Sequence, residues 1–196
     1  MKIKIYTIAL LLSTVLGSCS SSFLDEKPLD FMSATNSFLT QEDIDCSVNN
    51  LYYLIRREFY SRDELRPMDY LNGTDIIYDG EPNGTERHSN MISAYHSTGS
   101  IASVHWSLLY HTISTANTII DRLPVAEVSE EQKTVAEAKA RFFRGFAYRT
   151  LAYLYGGVPL LLTEVVEPKF DYVRASKEDV LKQAIADVEF AATHLP

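Results

Sequence analysis

Residues 129–157 read SEEQKTVAEAKARFFRGFAYRTLAYLYGG, and this stretch decides the fold. Ser129-Glu130-Glu131-Gln132 has the form of a capping box, in which Ser and Gln side chains satisfy the first free amides of a helix. Gly156-Gly157 closes the run, and Gly156 suits the left-handed conformation that ends many helices. Between them, apolar residues fall on two faces. Val135, Ala138, Phe142 and Phe146 form one, and Ala140, Phe143, Ala147, Leu151 and Leu154 the other. A helix apolar most of the way round is expected at the centre of a bundle. Phe142 is therefore read as a core residue. Ala138, Ala140, Gly145 and Ala147 allow neighbours to approach closely.

Working outward, three more helices emerge. Thr40 followed by Glu42 and Asp43 predicts a helix start, and Ile44, Val48, Leu51, Ile55 and Phe59 recur at helical spacing to an end near Tyr60. A second helix is expected from Ser103 to Leu123, stopped by Pro124. Trp106, Leu109, Tyr110, Ile113, Asn117 and Ile120 share its face. Trp106 reads as core and Asn117 as a buried hydrogen-bonding residue between helices. A last helix starts at Ser176 and ends at Leu195-Pro196, with Val180, Ala184, Ile185, Val188 and Ala192 on its inner face. Val158 to Val166 reads as a short strand or an extended arm. The short turn at 124–128 makes antiparallel helix pairs the expected class, all-α and tetratricopeptide-like. Trp106-x2-Leu109-Tyr110-x2-Ile113 keeps the Trp and Leu of the tetratricopeptide pattern but has Tyr in place of its Gly, and the 34-residue period fails.

Between residues 61 and 102 the helical period disappears. Asn72-Gly73, Asp79-Gly80, Asn83-Gly84 and Gly99 are turn signals. A forty-residue irregular excursion in a compact domain points to a functional loop. It interleaves Tyr70, Tyr78 and Tyr95 with Asn72, Asp75, Asp79 and Asn90. Aromatic rings match the apolar C–H face of a sugar, and amides or carboxylates match its hydroxyl rim. Tyr78, Asp79, Asn90 and Tyr95 are the candidate ligand-binding residues. Packing of the tyrosines onto the helices is the competing structural role.

Composition excludes other classes. The chain has 196 residues, 46% hydrophobic and 22% charged, with 8 Gly and 7 Pro, which is a globular composition. The net charge of −8, with no basic stripe, argues against nucleic acid as a partner. No nucleophile elbow, phosphate loop or zinc signature occurs, so no cofactor or metal is expected. His88, His96, His105 and His111 lack the helical i,i+4 spacing of metal ligands. Arg141 and Arg144 are expected to pair with acids such as Glu137 or Asp121. A glycoside hydrolase needs two carboxylates about 5–9.5 Å apart, and nothing singles out Asp75 and Asp79 as such a pair.

The N-terminus adds a location. Met1 to Lys4 is a short basic start, and Ile5 to Leu16 is an uncharged run too short to span a bilayer but right for a signal-peptide core. Leu16-Gly17-Ser18-Cys19 resembles the lipobox of bacterial lipoproteins, which implies a signal peptide over 1–18 and lipidation of Cys19. Ser20, rather than Asp, follows it, and by the same resemblance favours the outer membrane. Residues 19–39 are then a lipidated tether, and 40–196 the helical domain. If Cys19 is lipidated, Cys46 has no partner for a disulfide, and it reads as a small buried apolar residue.

Four pieces together resemble the SusD/RagB family of nutrient-uptake lipoproteins of Bacteroidetes. They are Cys19 with Phe23-Leu24-Asp25-Glu26-Lys27-Pro28; Trp106-x3-Tyr110-x2-Ile113-x3-Asn117; Glu137 through Tyr148 continuing to Gly156-Gly157-Val158-Pro159-Leu160; and Arg174-x-Ser176-x2-Asp179-Val180 running to Leu195-Pro196. Gly145 stands where Ala is usual, and Tyr155 where Phe is common. Members run to several hundred residues, so the chain resembles a truncated N-terminal portion. The resemblance implies a surface-exposed lipoprotein of the outer membrane, not an enzyme, that binds an oligosaccharide or in some relatives a peptide. It also implies a SusC-like TonB-dependent transporter as partner. The alternatives are a surface glycoside hydrolase whose catalytic half is missing, and a peptide-binding or scaffold helical-repeat lipoprotein.

Overall fold

The computed structural model describes residues 38, 40–60, 70–71, 74–76 and 100–196. Among them are four α-helices: α1 (Gln41–Phe59), α2 (Ser100–Arg122), α3 (Glu130–Tyr155) and α4 (Lys177–His194). A single 3-10 turn, Leu123–Val125, follows α2, with Pro124 in its first turn. The described residues contain no strand, and 158–166 is an extended arm. None of the described helices is long and apolar enough to cross a membrane.

The caps carry out what their residue types permit. Thr40 Oγ1 accepts from the Asp43 amide at 3.3 Å while Asp43 accepts from the Thr40 amide at 2.9 Å. Ser129 and Gln132 make the same reciprocal box on α3. Ser176 accepts from the Asp179 amide at 3.1 Å to open α4. Gly156 ends α3 with φ of 75°, a conformation that side chains with a Cβ resist. Helix α2 begins three residues before the expected Ser103.

α3 is central. It packs on α4, on α2 and, less extensively, on α1. Its N-terminal half seats Ala136, Ala140 and Phe143 in the groove between α1 and α2, against Ile44, Val48, Leu51, Ala116, Ile119 and Leu123. Its C-terminal half brings Ala147, Tyr148 and Leu151 against Leu109 and Ile113 of α2, Val180 and Ala184 of α4, and Val158 of the arm. This succession of antiparallel pairs is the expected all-α, tetratricopeptide-like architecture.

Three packing expectations are corrected. Phe142 is not core: it is 41% exposed, whereas its neighbour Phe143 is 4% exposed. One step along a helix turns a side chain by about 100°, and only Phe143 faces α1 and α2. On α4 the buried row is Val180, Ala184, Asp187 and Ala191, while Ile185 (56% exposed), Val188 and Ala192 face outward. Cys46 is also exposed, on the outer side of α1, rather than buried.

Candidate functional site

Two polar clusters inside this frame position the non-helical segments. The first holds the arm after α3. Tyr110 donates to the Pro159 carbonyl at 2.8 Å. The Tyr148 hydroxyl donates to the Leu161 carbonyl at 2.8 Å and accepts from the Leu161 amide at 2.6 Å. Asn117 Nδ2 donates to the carbonyls of Leu161 at 2.9 Å and Thr163 at 3.2 Å. Its Oδ1 accepts from Arg144 at 2.8 Å. Arg144 turns its other nitrogens onto Asp187 in a fork of 2.8 and 2.7 Å. Further out, Arg122 forks onto Glu164, and Asp121 accepts from the Glu164 amide at 2.6 Å. These side chains satisfy the backbone groups of an arm that has no ladder of its own, as buried polar groups require. Burial holds the Tyr148 hydroxyl in its neutral form, with its pKa pushed up to about 12, and pushes Tyr110 up further still.

The second cluster stands at the root of the 61–99 excursion. Glu58, at the end of α1, and His105, in the second turn of α2, are 1% and 2% exposed, with His105 Nδ1 2.5 Å from Glu58 Oε1. Tyr70, from the intervening segment, donates to the same carboxylate oxygen and stacks on Phe59 with ring centres 5.2 Å apart. Glu58 Oε2 is buried without a hydrogen-bond partner among the described residues. Tyr155 donates to the Ala102 carbonyl at 2.5 Å; burial first and the Glu58 charge second push its pKa up to about 12. The cluster is too enclosed to meet a substrate. Chemically it ties two helix ends and one loop residue together.

Residues 22–196 match the family model SusD-like_3, described as starch-binding associating with outer membrane. The chain belongs to the SusD-like family. SusD-like protein P2 of Formosa agariphila is 29% identical over the whole chain, which covers 38% of that relative. The chain thus spans well under half the length of this curated relative. A SusD superfamily protein from Bacteroides vulgatus superposes with a TM-score of 0.71 at 19% identity, over 82% of this chain and 36% of that one. A laminarin-binding SusD-like protein superposes with a TM-score of 0.68 at 22% identity, over 81% of this chain and 36% of that one. These likenesses show that the helical fold is shared.

Within this SusD-like chain, the residues singled out from sequence divide cleanly. Tyr78, Asp79, Asn90, Tyr95 and Cys19 lie outside the described residues. Asn117 is buried as expected, and serves the arm as much as it joins α2 to α3. Trp106 is partly buried, with Tyr155 edge-on at 5.2 Å and Tyr110 tilted against it at 4.8 Å. Its rings pack among helix residues rather than presenting an open platform. Arg141 pairs with Glu137 at 2.6 Å, but Arg144 takes Asp187, not Asp121. Sequence reasoning missed Asp187 and the Glu58–His105–Tyr70 cluster. The available signal for Asp187 was its place in the row Val180, Ala184, Asp187, Ala191, one charge among three small or apolar residues. Among the described residues no three His, Cys, Asp or Glu side chains converge as metal ligands would.

Proposed function

We propose that this SusD-like chain is the N-terminal helical part of a glycan-binding outer-membrane lipoprotein. It captures oligosaccharide without cleaving it and delivers it to a SusC-like TonB-dependent transporter. The observation that carries this reading is the family match along residues 22–196. The laminarin-binding neighbour of the same fold supports a carbohydrate ligand. The lipobox-like run ending at Cys19 supports a lipid anchor after cleavage of residues 1–18, with 19–39 as tether and 40–196 as helical domain. Acyl chains on that cysteine hold a protein at a membrane without a spanning helix, each buried CH₂ contributing about 0.8 kcal/mol.

The glycan contacts we assign to the 61–99 excursion are a stacking ring from Tyr78 or Tyr95 and rim hydrogen bonds from Asp79 or Asn90. The Glu58–His105–Tyr70 tie at its root supports this assignment, since a binding loop needs a fixed base. The test is calorimetry of laminari-oligosaccharides and starch oligosaccharides on the full-length protein, comparing the parent with Tyr78→Ala and Tyr95→Ala. Loss of the stacking ring is expected to weaken affinity about ten- to hundred-fold, the worth of burying one aromatic side chain. Binding by both folded variants within twofold of the parent would move the site elsewhere. Shortened oligosaccharide products would favour the hydrolase, and affinity for peptide alone the peptide-binding alternative.

A further inference from the structure

Glu58 and His105 are both ionisable and both almost wholly enclosed, at 1% and 2% exposure. Burial disfavours either charge by itself. Together, with His105 Nδ1 2.5 Å from Glu58 Oε1, an imidazolium and a carboxylate make a neutral unit. The carboxylate depends on that neutralisation. Its Oε1 accepts from both His105 and the Tyr70 hydroxyl, while Oε2 is buried with no hydrogen-bond partner among the described residues. Taking the charge from His105 strands a buried anion that has neutral donors on one oxygen. Breaking one side of a buried ion pair costs far more than breaking a pair in solvent.

The described groups around the pair leave the proton to His105. Tyr155 of α3 is held neutral, since burial first and the Glu58 charge second push its pKa up to about 12. The Tyr70 hydroxyl is a donor to the carboxylate. Apolar and aromatic rings close in from three elements: Phe59 of α1 stacks on Tyr70 at 5.2 Å and lies edge-on to Phe146 of α3 at 5.6 Å, and Tyr70 tilts against His105 at 5.1 Å. Arg56 and Arg57, beside Glu58 on α1, are exposed. Histidine is the side chain whose ordinary pKa, about 6.5, lies in the neutral range.

The three members are held differently. Glu58 is in the last turn of α1 and His105 in the second turn of α2, so a helix fixes each. Tyr70 sits in a turn, followed by a Thr74 amide that donates to the Leu71 carbonyl at 3.3 Å. Tyr70 is therefore the member that can step aside and admit water to the carboxylate.

We propose that this cluster is a proton-held clasp on the root of the 61–99 excursion: charged His105 keeps Tyr70 seated on Glu58, and loss of the imidazole proton unseats Tyr70 as the pH rises. A histidine that gains a carboxylate partner on folding holds its proton above its ordinary range. The clasp thus contributes fully below about pH 6.5 and is lost as the pH climbs through the higher value reached in the folded chain. The inference is independent of what the excursion binds.

The test follows the imidazole and the root separately on the full chain. NMR of the histidine rings, with His105 assigned from His105→Gln, reads its titration. Amide hydrogen exchange of the peptide carrying Tyr70, Leu71 and Thr74, divided by the intrinsic rate at each pH, reads the root. His105 is expected to titrate above the ordinary histidine range. Protection of the root is expected to fall at least tenfold between pH 6 and pH 8.5, while the α4 peptide around Asp187 changes less than twofold. Glu58→Gln keeps the shape and removes the charge; His105 should then bind its proton at least tenfold more weakly, and the root should exchange alike at both pH values. Tyr70→Phe keeps the ring on Phe59 and serves even where Glu58→Gln does not fold; the root should be unprotected at both pH values, with the α4 peptide unchanged. A His105 that titrates at or below the ordinary range, level root protection in the parent, or a Glu58→Gln chain with the parent's profile would each overturn the proposal. So would Tyr70→Phe with the parent's protection, which would leave Tyr70 no part in the clasp.

Discussion

The two grooves of this molecule have the same construction and opposite fates. Between α1 and α2 the apolar walls meet Phe143 and the small residues of α3, and almost nothing of that surface reaches water. Between α3 and α4 the walls are as apolar, yet Phe142, Ile185 and Val188 remain in solvent. The difference teaches that an apolar face on a helix pair is covered in one place by a third helix and meets solvent in another, so apolar spacing by itself does not report burial.

Substitutions on α3 can break or sharpen this contrast. The largest effect is expected at Phe143, where truncation to Ala removes a buried ring and leaves a cavity. A loss of about 3–5 kcal/mol is expected in a urea melt, and a loss below about 1 kcal/mol would mean that the α1–α2 groove is not truly filled. Gly145→Ala comes next. Its new methyl group would press on the Ala184 carbonyl and on Val188. Because a backbone atom must yield, about 1–3 kcal/mol is expected from overpacking; an unchanged melting temperature would show that α3 and α4 can slide apart freely. The smallest effect belongs to Phe142→Ala, expected below about 1 kcal/mol in this 196-residue chain, as for surface positions generally. A loss like that of Phe143, measured in the same melt, would place Phe142 in a core after all and erase the distinction between the grooves.

Much of the frame is legible before any coordinates. Ser129, Gln132, Thr40, Ser176 and Gly156 each mark a helix end through local hydrogen bonding or backbone freedom, and local signals need no knowledge of the rest of the chain. The apolar row on α1 points correctly because that face meets a single groove, whereas the row on α2 finds Leu109, Ile113 and Asn117 but misses Ala116 and Ile119, which pack in the cluster with α1. The reading of α3 fails at Phe142 because a helix apolar all round touches different neighbours on different sides. Its spacing cannot say which side is occupied. On α4 the error has another cause. Asp187 looks like a surface residue, so the apparent face rotates toward Ile185 and Val188. The fork from Arg144, a residue 43 positions away, joined by Gln183 Nε2 at 3.1 Å, explains why a carboxylate lies at 0% exposure. Removing one member of such a pair strands the other without compensation. Nothing in local sequence announces a long-range partner of this kind. The candidate site divides the same way. Period places the helical residues Trp106 and Asn117, whereas the Glu58–His105–Tyr70 tie joins α1 to residues 12 and 47 positions further on, which no helical period connects.

The α3–α4 connection has a further consequence. Its two ends are clasped: the Ala175 amide donates to the Val158 carbonyl at 3.0 Å, and Gly157 lies so close to Ala175 that a Cβ would overlap its carbonyl oxygen. Residues 158–164 are tied down, but beyond them Val166, Phe170 and Val173 stand in solvent. A stretch closed at its base can change in length without moving the helices it joins. Each doubling of a flexible loop raises the entropy cost of closure by only about 0.6 kcal/mol. Residues 165–174 are therefore where insertions, a protease nick or a grafted epitope would be absorbed with the helical pair left intact.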